Sequence, residues 1–289
     1  MQNWTENFAR MIKCPNCQDS PTIELKADGK FQVFFCTGCL NGFTYPVPAG
    51  LAKYYPGGYW IPQGWKGFVK EQVYKLTQKR RQRWIKKYLS SGKILDVGAG
   101  EGVFIETMKK QFSVVGIEPP FSKIKNQHII KIDFLKWQTK QKFDAVVFWE
   151  SLEHTRVPQK YLEKAYNLLK KGGLVFIEYP VLDCLESKIF GRFWYHLDLP
   201  RHLAHLTEKG LGIITAKAGF KKIDSKDVFA LEYTLPGFLA SLLNISKVKL
   251  PKTNLLLLAV PLFIPVLAVE LLFYVLHQAP IGIMIARKV

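Results

Sequence analysis

One short stretch, Asp96-Val97-Gly98-Ala99-Gly100-Glu101-Gly102, restricts the architecture of this chain more than any other feature, because it lies directly between an apolar strand pattern and a helical one. Glycines at 98, 100 and 102 let the backbone turn sharply and approach a ligand closely, where a Cβ would collide. The residues on either side keep the same alternation. Strands are predicted at Lys93 to Val97, Phe112 to Glu118, Ile129 to Ile132 and Phe143 to Trp149. A helix from Gln159 to Lys171 stops at Gly172-Gly173, and a fifth strand runs from Leu174 to Glu178. Thr207 caps a further helix ending near Gly219, before a sixth strand from Phe220 to Val228. Short apolar strands alternating with helices imply a parallel sheet covered on both faces, and 289 residues, 48% of them hydrophobic, suffice for its core.

Acidic residues stand where such a sheet would present them to a ligand. Glu118 ends the second strand, twenty residues after Gly98, and its carboxylate can accept from both hydroxyls of a ribose. Asp133 and Phe134 end the third strand, suited to an adenine amino group and to stacking on its ring. A dinucleotide fingerprint would require glycine at position 103, which is Val103. In their order at strand ends, these motifs make residues 92–228 and 280–288 resemble the class I S-adenosylmethionine-dependent methyltransferases. The segment from Phe143 to Pro180, with Glu153-His154, is similar to the methyltransferase-23, UbiG-like branch. The resemblance implies an α/β, Rossmann-like fold of seven strands, the last antiparallel and inserted between the fifth and sixth; Pro280 to Lys288 fits it. It also implies S-adenosylmethionine as cofactor, held by Asp96, Gly98, Ala99, Gly100, Gly102, Glu118, Asp133, Phe134 and Glu150.

Methyl transfer demands positioning more than covalent catalysis, and a hydroxyl acceptor also needs a base for its proton. His154, after the fourth strand, is the candidate base; the competing reading is that the Glu-His pair only holds the cofactor loop. The stretch Phe193 to His205 comes after the fifth strand, where this family commonly binds its acceptor, which nominates Trp194, Tyr195, His196, Arg201 and His202 as a substrate-covering loop. Metal binding by His196, His202 and His205 is the weaker alternative.

Cys14, Cys17, Cys36 and Cys39 form two C-x-x-C pairs eighteen residues apart, the spacing of a closed four-thiolate zinc site, whose Zn2+ is structural. The hairpin between them, Thr22 to Leu25 and Phe31 to Phe35, completes a zinc ribbon, also found at the front of members of the same branch, together with Pro46-Val47-Pro48 and Tyr54-Tyr55 to Tyr59-Trp60. The unpartnered Cys184 reads as a small buried or loop residue. A helix from Phe68 to Leu89 carries many lysines and arginines, for lipid or for water.

The sequence thus divides into a zinc ribbon at 1–45, a connector and basic helix at 46–91, a catalytic core at 92–234 plus 279–289, and a hydrophobic insertion at 235–278. Leu255 to Leu276 is long and apolar enough to cross a bilayer, but a single crossing would strand the last strand on the far side. The expectation is a hairpin, bent at its prolines, that embeds in one leaflet and returns; a buried lid or oligomer interface, favoured by Glu270, is the alternative. No secretory h-region is found near Met1, so a cytosolic, membrane-associated enzyme is expected. Its partner would be a small-molecule or lipid-linked acceptor, such as a quinone precursor or a polyprenyl-linked saccharide. The net charge of +18 also suits a competing RNA methyltransferase, although no N-P-P-aromatic motif follows the fourth strand, where Glu150-Ser151-Leu152-Glu153 stands. A third reading is a membrane-docked scaffold without activity, against which the intact glycines and Glu118 argue. Oligomeric state is not encoded in these patterns.

Overall fold

The computed structural model describes residues 12–18, 22–28, 30–55, 65–124, 126–246 and 252–289. Tyr59-Trp60, Gly29 of the hairpin turn, and Lys247 and Lys249 lie outside them. In chain order the strands are β1 (Thr22–Asp28), β2 (Phe31–Cys36), β3 (Gly42–Tyr45), β4 (Gly92–Val97), β5 (Phe112–Glu118), β6 (Ile129–Lys131), β7 (Phe143–Trp149), β8 (Leu169–Pro180), β9 (Ala204–His205), β10 (Phe220–Asp227) and β11 (Ile281–Lys288). The helices are α1 (Trp65–Tyr88), α2 (Val103–Met108), α3 (Pro158–Leu168), α4 (Leu185–Phe190), α5 (Glu208–Lys217), α6 (Leu231–Ser246) and α7 (Lys252–Val275).

The chain forms two compact units. One comprises Pro48–Glu178, Gly212–Asp224 and Met284–Val289, and is built on a seven-stranded sheet of order β10-β11-β8-β7-β4-β5-β6. Strands β6, β5, β4, β7 and β8 run parallel. The last strand is inserted as the resemblance implied. It runs antiparallel to β8: Lys288, at its end, donates to the Leu169 carbonyl at the start of β8, while the Val181 N–H just past β8 donates to Pro280 just before β11. Strand β7 is buried at all but one position and β4 from Ile94 to Val97, as expected of strands covered on both faces.

One boundary is corrected. The helix expected to run to Lys171 ends at Leu168, and residues 169–173 are already extended as the first part of β8. Leu169 pairs with Phe143, and a register shift precedes the pairing of Ala145 with Leu174, so Gly172, at φ +76°, is absorbed within the strand rather than ending a helix. Thr207 caps α5 as expected, its hydroxyl accepting from the Gly210 N–H at 2.9 Å.

The other unit comprises Met1–Val47, Tyr179–Leu211 and Ser225–Ile283. The four-part division is therefore regrouped: the ribbon, the stretch after β8 and the hydrophobic helices belong together. Backbone pairing explains why, because β3 pairs with β9, Gly42 opposite His205 and Phe43 opposite Ala204, making a sheet of order β1-β2-β3-β9. Asn41 and Leu40 also accept from the N–H and hydroxyl of Thr207. An apolar cluster of Val33, Leu182, Cys184, Phe190, Trp194 and Leu197 fills this unit, and Cys184 is buried in it while its sulfur caps α4.

Within the hydrophobic insertion the described residues form the helices α6 and α7, and α7 continues through Pro261 and Pro265 without a break in the helix. Among the described residues no helix is long and apolar enough to cross a membrane. Val266, Glu270 and Phe273 of α7 are buried, whereas Leu262, Phe263, Ile264, Leu271, Leu272 and Val275 are exposed.

Candidate active site

The glycine bend sits at the carboxyl edge of the first unit's sheet, where β4 ends between β5 and β7. All three of its glycines have positive φ, at +85°, +53° and +80°. A Cβ on Gly98 would stand 2.5 Å from the Ser151 Cβ, and one on Gly102 2.5 Å from the Asn126 side-chain nitrogen. The collision foreseen with a ligand is thus, at those two positions, a collision with the protein itself. At Gly100 nothing lies within 4 Å of a Cβ, which leaves open space beside the loop. Ile117 anchors the bend by accepting from Gly98 and Ala99 N–H, and Glu118 Oε1 accepts from the Gly100 N–H at 2.6 Å.

Beside the bend is a cleft of about 530 Å³ lined by Gly98, Glu101, Glu118, Asp133, Phe134, Glu150, Ser151, His154 and Tyr161, with Tyr55 and Phe121 among its aromatic walls. Six of the sequence-nominated residues therefore meet in one cavity: Gly98, Glu118, Asp133, Phe134, Glu150 and His154. Asp96, Ala99, Gly100 and Gly102 are not among its lining residues; they shape the loop. Asp96 is buried, its Oδ1 has no hydrogen-bond partner, and burial pushes its carboxyl up to about 7, with Arg81 opposing and Glu118 adding to the rise. Phe134 has little free face to stack on a ligand: it is 3% exposed, edge-on to Phe148 and tilted against Tyr161. Phe121, 41% exposed, offers the more open ring.

Burial raises the carboxyl of Glu118, against the Gly100 and Ser122 hydrogen bonds. Glu150 is raised well above the ordinary range by burial and by the neighbouring Glu153 and Glu178, and its Oε1 is buried without a hydrogen-bond partner. Counter-charge comes from the basic helix, whose inward arginines sequence reading missed. Arg81 of α1 reaches Glu178 Oε1 through Nε at 2.9 Å and Nη2 at 2.5 Å, and Arg80 reaches Oε2 at 3.0 Å. Burial pushes Glu178 up, but the two guanidiniums outweigh it and hold the carboxyl below the usual range. Arg81 also lies over the Trp149 ring, 5.2 Å from its centroid. Neither lipid nor water takes this part of α1.

His154 borders the cleft with its Nδ1 3.0 Å from the Tyr55 hydroxyl, and Tyr55 in turn packs against Phe121. Tyr55 was missed as a site residue, being one of many aromatics in the connector. The open glycine bend, the unpartnered oxygen of Glu150, and the acids Glu118 and Asp133 on neighbouring strand ends fit an adenosyl group carrying vicinal hydroxyls and a cationic sulfonium.

The nominated acceptor loop belongs to the other unit and is mostly interior. Trp194 and His196 are buried, at 2% and 5% exposure, and Trp194 is part of that unit's apolar cluster. His202 is buried too, its Nδ1 bonded to the His196 carbonyl, and Arg201 pairs with Asp198; Tyr195 alone of the five is exposed. His205 bonds Thr44, so His196, His202 and His205 do not assemble as metal ligands. In the same unit Cys14, Cys17, Cys36 and Cys39 converge, with sulfur separations of 3.7 Å for Cys14–Cys39 and 3.8 Å for Cys17–Cys36. A tetrahedron of sulfurs about 2.3 Å from zinc has edges of about 3.8 Å, so the donor set fits that ion in both chemistry and spacing.

Residues 69–225 match the family model described as a methyltransferase domain. The ubiquinone biosynthesis O-methyltransferase of Pelagibacter ubique is 30% identical over 135 residues, 43% of this chain and 55% of that protein. The mitochondrial ubiquinone biosynthesis O-methyltransferase of Rattus norvegicus is 34% identical over 108 residues, 32% of this chain and 31% of that one. The match thus spans about half the length of the bacterial relative and a third of the rat one. Among solved structures, a SAM dependent methyltransferase from Archaeoglobus fulgidus shares the fold at a TM-score of 0.50 and 19% identity, covering 78% of this chain and all of that one. Phospholethanolamine N-methyltransferase 2 of Haemonchus contortus does so at 0.53 and 17%, covering 86% and 62%.

Proposed function

The chain belongs to the class I S-adenosylmethionine-dependent methyltransferases, in the UbiG-like branch, and from that premise we propose that it methylates a hydroxyl of an amphipathic or lipid-linked acceptor at the cytosolic face of a membrane. A quinone precursor or a polyprenyl-linked saccharide has the required chemistry, and the curated relatives named above are O-methyltransferases of ubiquinone biosynthesis. His154 carries the reading. If its Nδ1–H donates to the Tyr55 oxygen, the ring is held in the tautomer whose Nε2 accepts the acceptor's proton. Glu118, Asp133 and Glu150 hold the donor. When bound, S-adenosylmethionine supplies a methyl group on a cationic sulfur that becomes neutral as the group leaves. Phe121, Phe134 and Tyr161 line the same cleft with aromatic surface.

The test is His154→Gln assayed on a catechol-type acceptor. Turnover is expected to fall roughly 10²- to 10⁴-fold with S-adenosylhomocysteine affinity unchanged, a typical contribution of a general base. Unaltered turnover would leave His154 as a mere loop holder and sink the assignment. Membrane docking is supported by the exposed apolar face of α7, from which the one acid, Glu270, is turned inward. A single zinc held by the four cysteines is structural, because four protein thiolates close its coordination shell.

A further inference from the structure

A second cavity, of about 720 Å³, lies within the unit that carries the ribbon. Its volume is in the range of small-molecule sites. Phe35 of β2, Leu40 and Leu182 supply apolar floor, and Lys188 of α4, Arg192 and Lys209 of α5 bring three cations, against the one acid Asp183. All three cations are exposed. Among the described residues none of the three makes an ion pair, with Asp183 or any other carboxylate. Arg192 lies over the Phe193 ring, its Cζ 4.7 Å from the centroid.

Ordinary surface lysines stand over water. These stand over an apolar concavity, so a ligand carrying only charge would leave the floor unused, and a neutral apolar one would leave the cations unanswered. We propose that this cavity binds a phosphorylated amphiphile: a phosphate or diphosphate ester whose phosphoryl oxygens meet Lys188, Arg192 and Lys209 while its hydrocarbon lies on Phe35, Leu40 and Leu182. The site shares no lining residue with the methyltransferase cleft and makes no use of the methyl donor, so it stands or falls independently of the acceptor reading.

Calorimetric titration of the full chain, without methyl donor, uses farnesyl diphosphate, inorganic pyrophosphate and farnesol as probes. Farnesyl diphosphate is expected to bind at least tenfold more tightly than either of the others. The triple variant Lys188→Gln, Arg192→Gln, Lys209→Gln is expected to lose at least tenfold in that affinity, with S-adenosylhomocysteine binding and thermal midpoint unchanged. If the triple variant melts early, the single Lys209→Gln variant takes its place and is expected to lose severalfold. Pyrophosphate binding as tightly as the prenyl ester would make this a site for free phosphate and overturn the proposal. Equal binding of farnesol, no binding of the prenyl ester, or full retention by the variants would also overturn it.

Discussion

At position 98 both space and backbone demand glycine: φ is +85°, and a Cβ would sit 2.5 Å from Ser151. Gly98→Ala is expected to cost about 2–4 kcal/mol of stability, the sum of left-handed strain and a core clash, and to abolish S-adenosylhomocysteine binding. Gly100→Ala meets only the conformational penalty, about 1–2 kcal/mol, because its Cβ would meet nothing. Thermal melts and calorimetry on the two variants separate the cases; equal losses would contradict this geometry. Glu118→Gln should weaken the donor by about 10-fold, roughly the worth of one charged hydrogen bond, while leaving the fold intact. The glycines and Glu118 were readable along the chain because their roles depend on where strands end. Tyr55, 99 residues before the His154 it touches, gave no local signal.

Helix α1 contributes through Arg81, whose guanidinium sits in the interior against Glu178. Arg81→Met leaves that carboxylate buried without its main partner and is expected to cost about 3–5 kcal/mol; replacing the whole triad, with Glu178→Met and Arg80→Met added, should recover most of it, as exchanging buried ionic groups for apolar residues is often neutral. Denaturant melts of single and triple variants check this. Helices α4 and α7 present a different case, with two buried acids and, among the described residues, no cation paired to either. Burial and the neighbouring Glu270 push Glu186 up to about 8, and burial pushes Glu270 up to about 7. Both groups are raised above their unfolded values, so their stabilising protonated forms are fully retained below about pH 4.5 and lost as pH rises through about 7 to 8. Glu270→Gln should therefore raise the thermal midpoint at about pH 8 and leave it nearly unchanged at about pH 4.5. A gain that is the same at both pH values would rule out titration as the cause.

At the scale of the whole molecule, the exposed face of α7 and the charge of +18 together predict binding to anionic vesicles. Replacing Leu262, Ile264, Leu271 and Val275 by serine should abolish flotation with such liposomes while leaving S-adenosylhomocysteine binding intact; undiminished flotation would refute docking through α7. Removing 235–278 altogether is the poorer test, because Ser241 of α6 accepts from the Tyr195 N–H and the deletion would disturb its own unit. Apart from the inserted last strand, which the family resemblance implied, the sequence alone determined six strands of the sheet, the glycine bend, the acids at strand ends and the cysteine quartet. Each depends on local periodicity or fixed spacing, which a strand, a turn or a ligand shell imposes on neighbours in the chain. Only the tertiary structure decided that the ribbon's β3 would pair with the distant β9, that Trp194 and His196 would be interior, and that Arg81 would answer Glu178. Those outcomes depend on which distant surfaces bury one another and which buried charge requires a partner, and no pattern of adjacent residues records either.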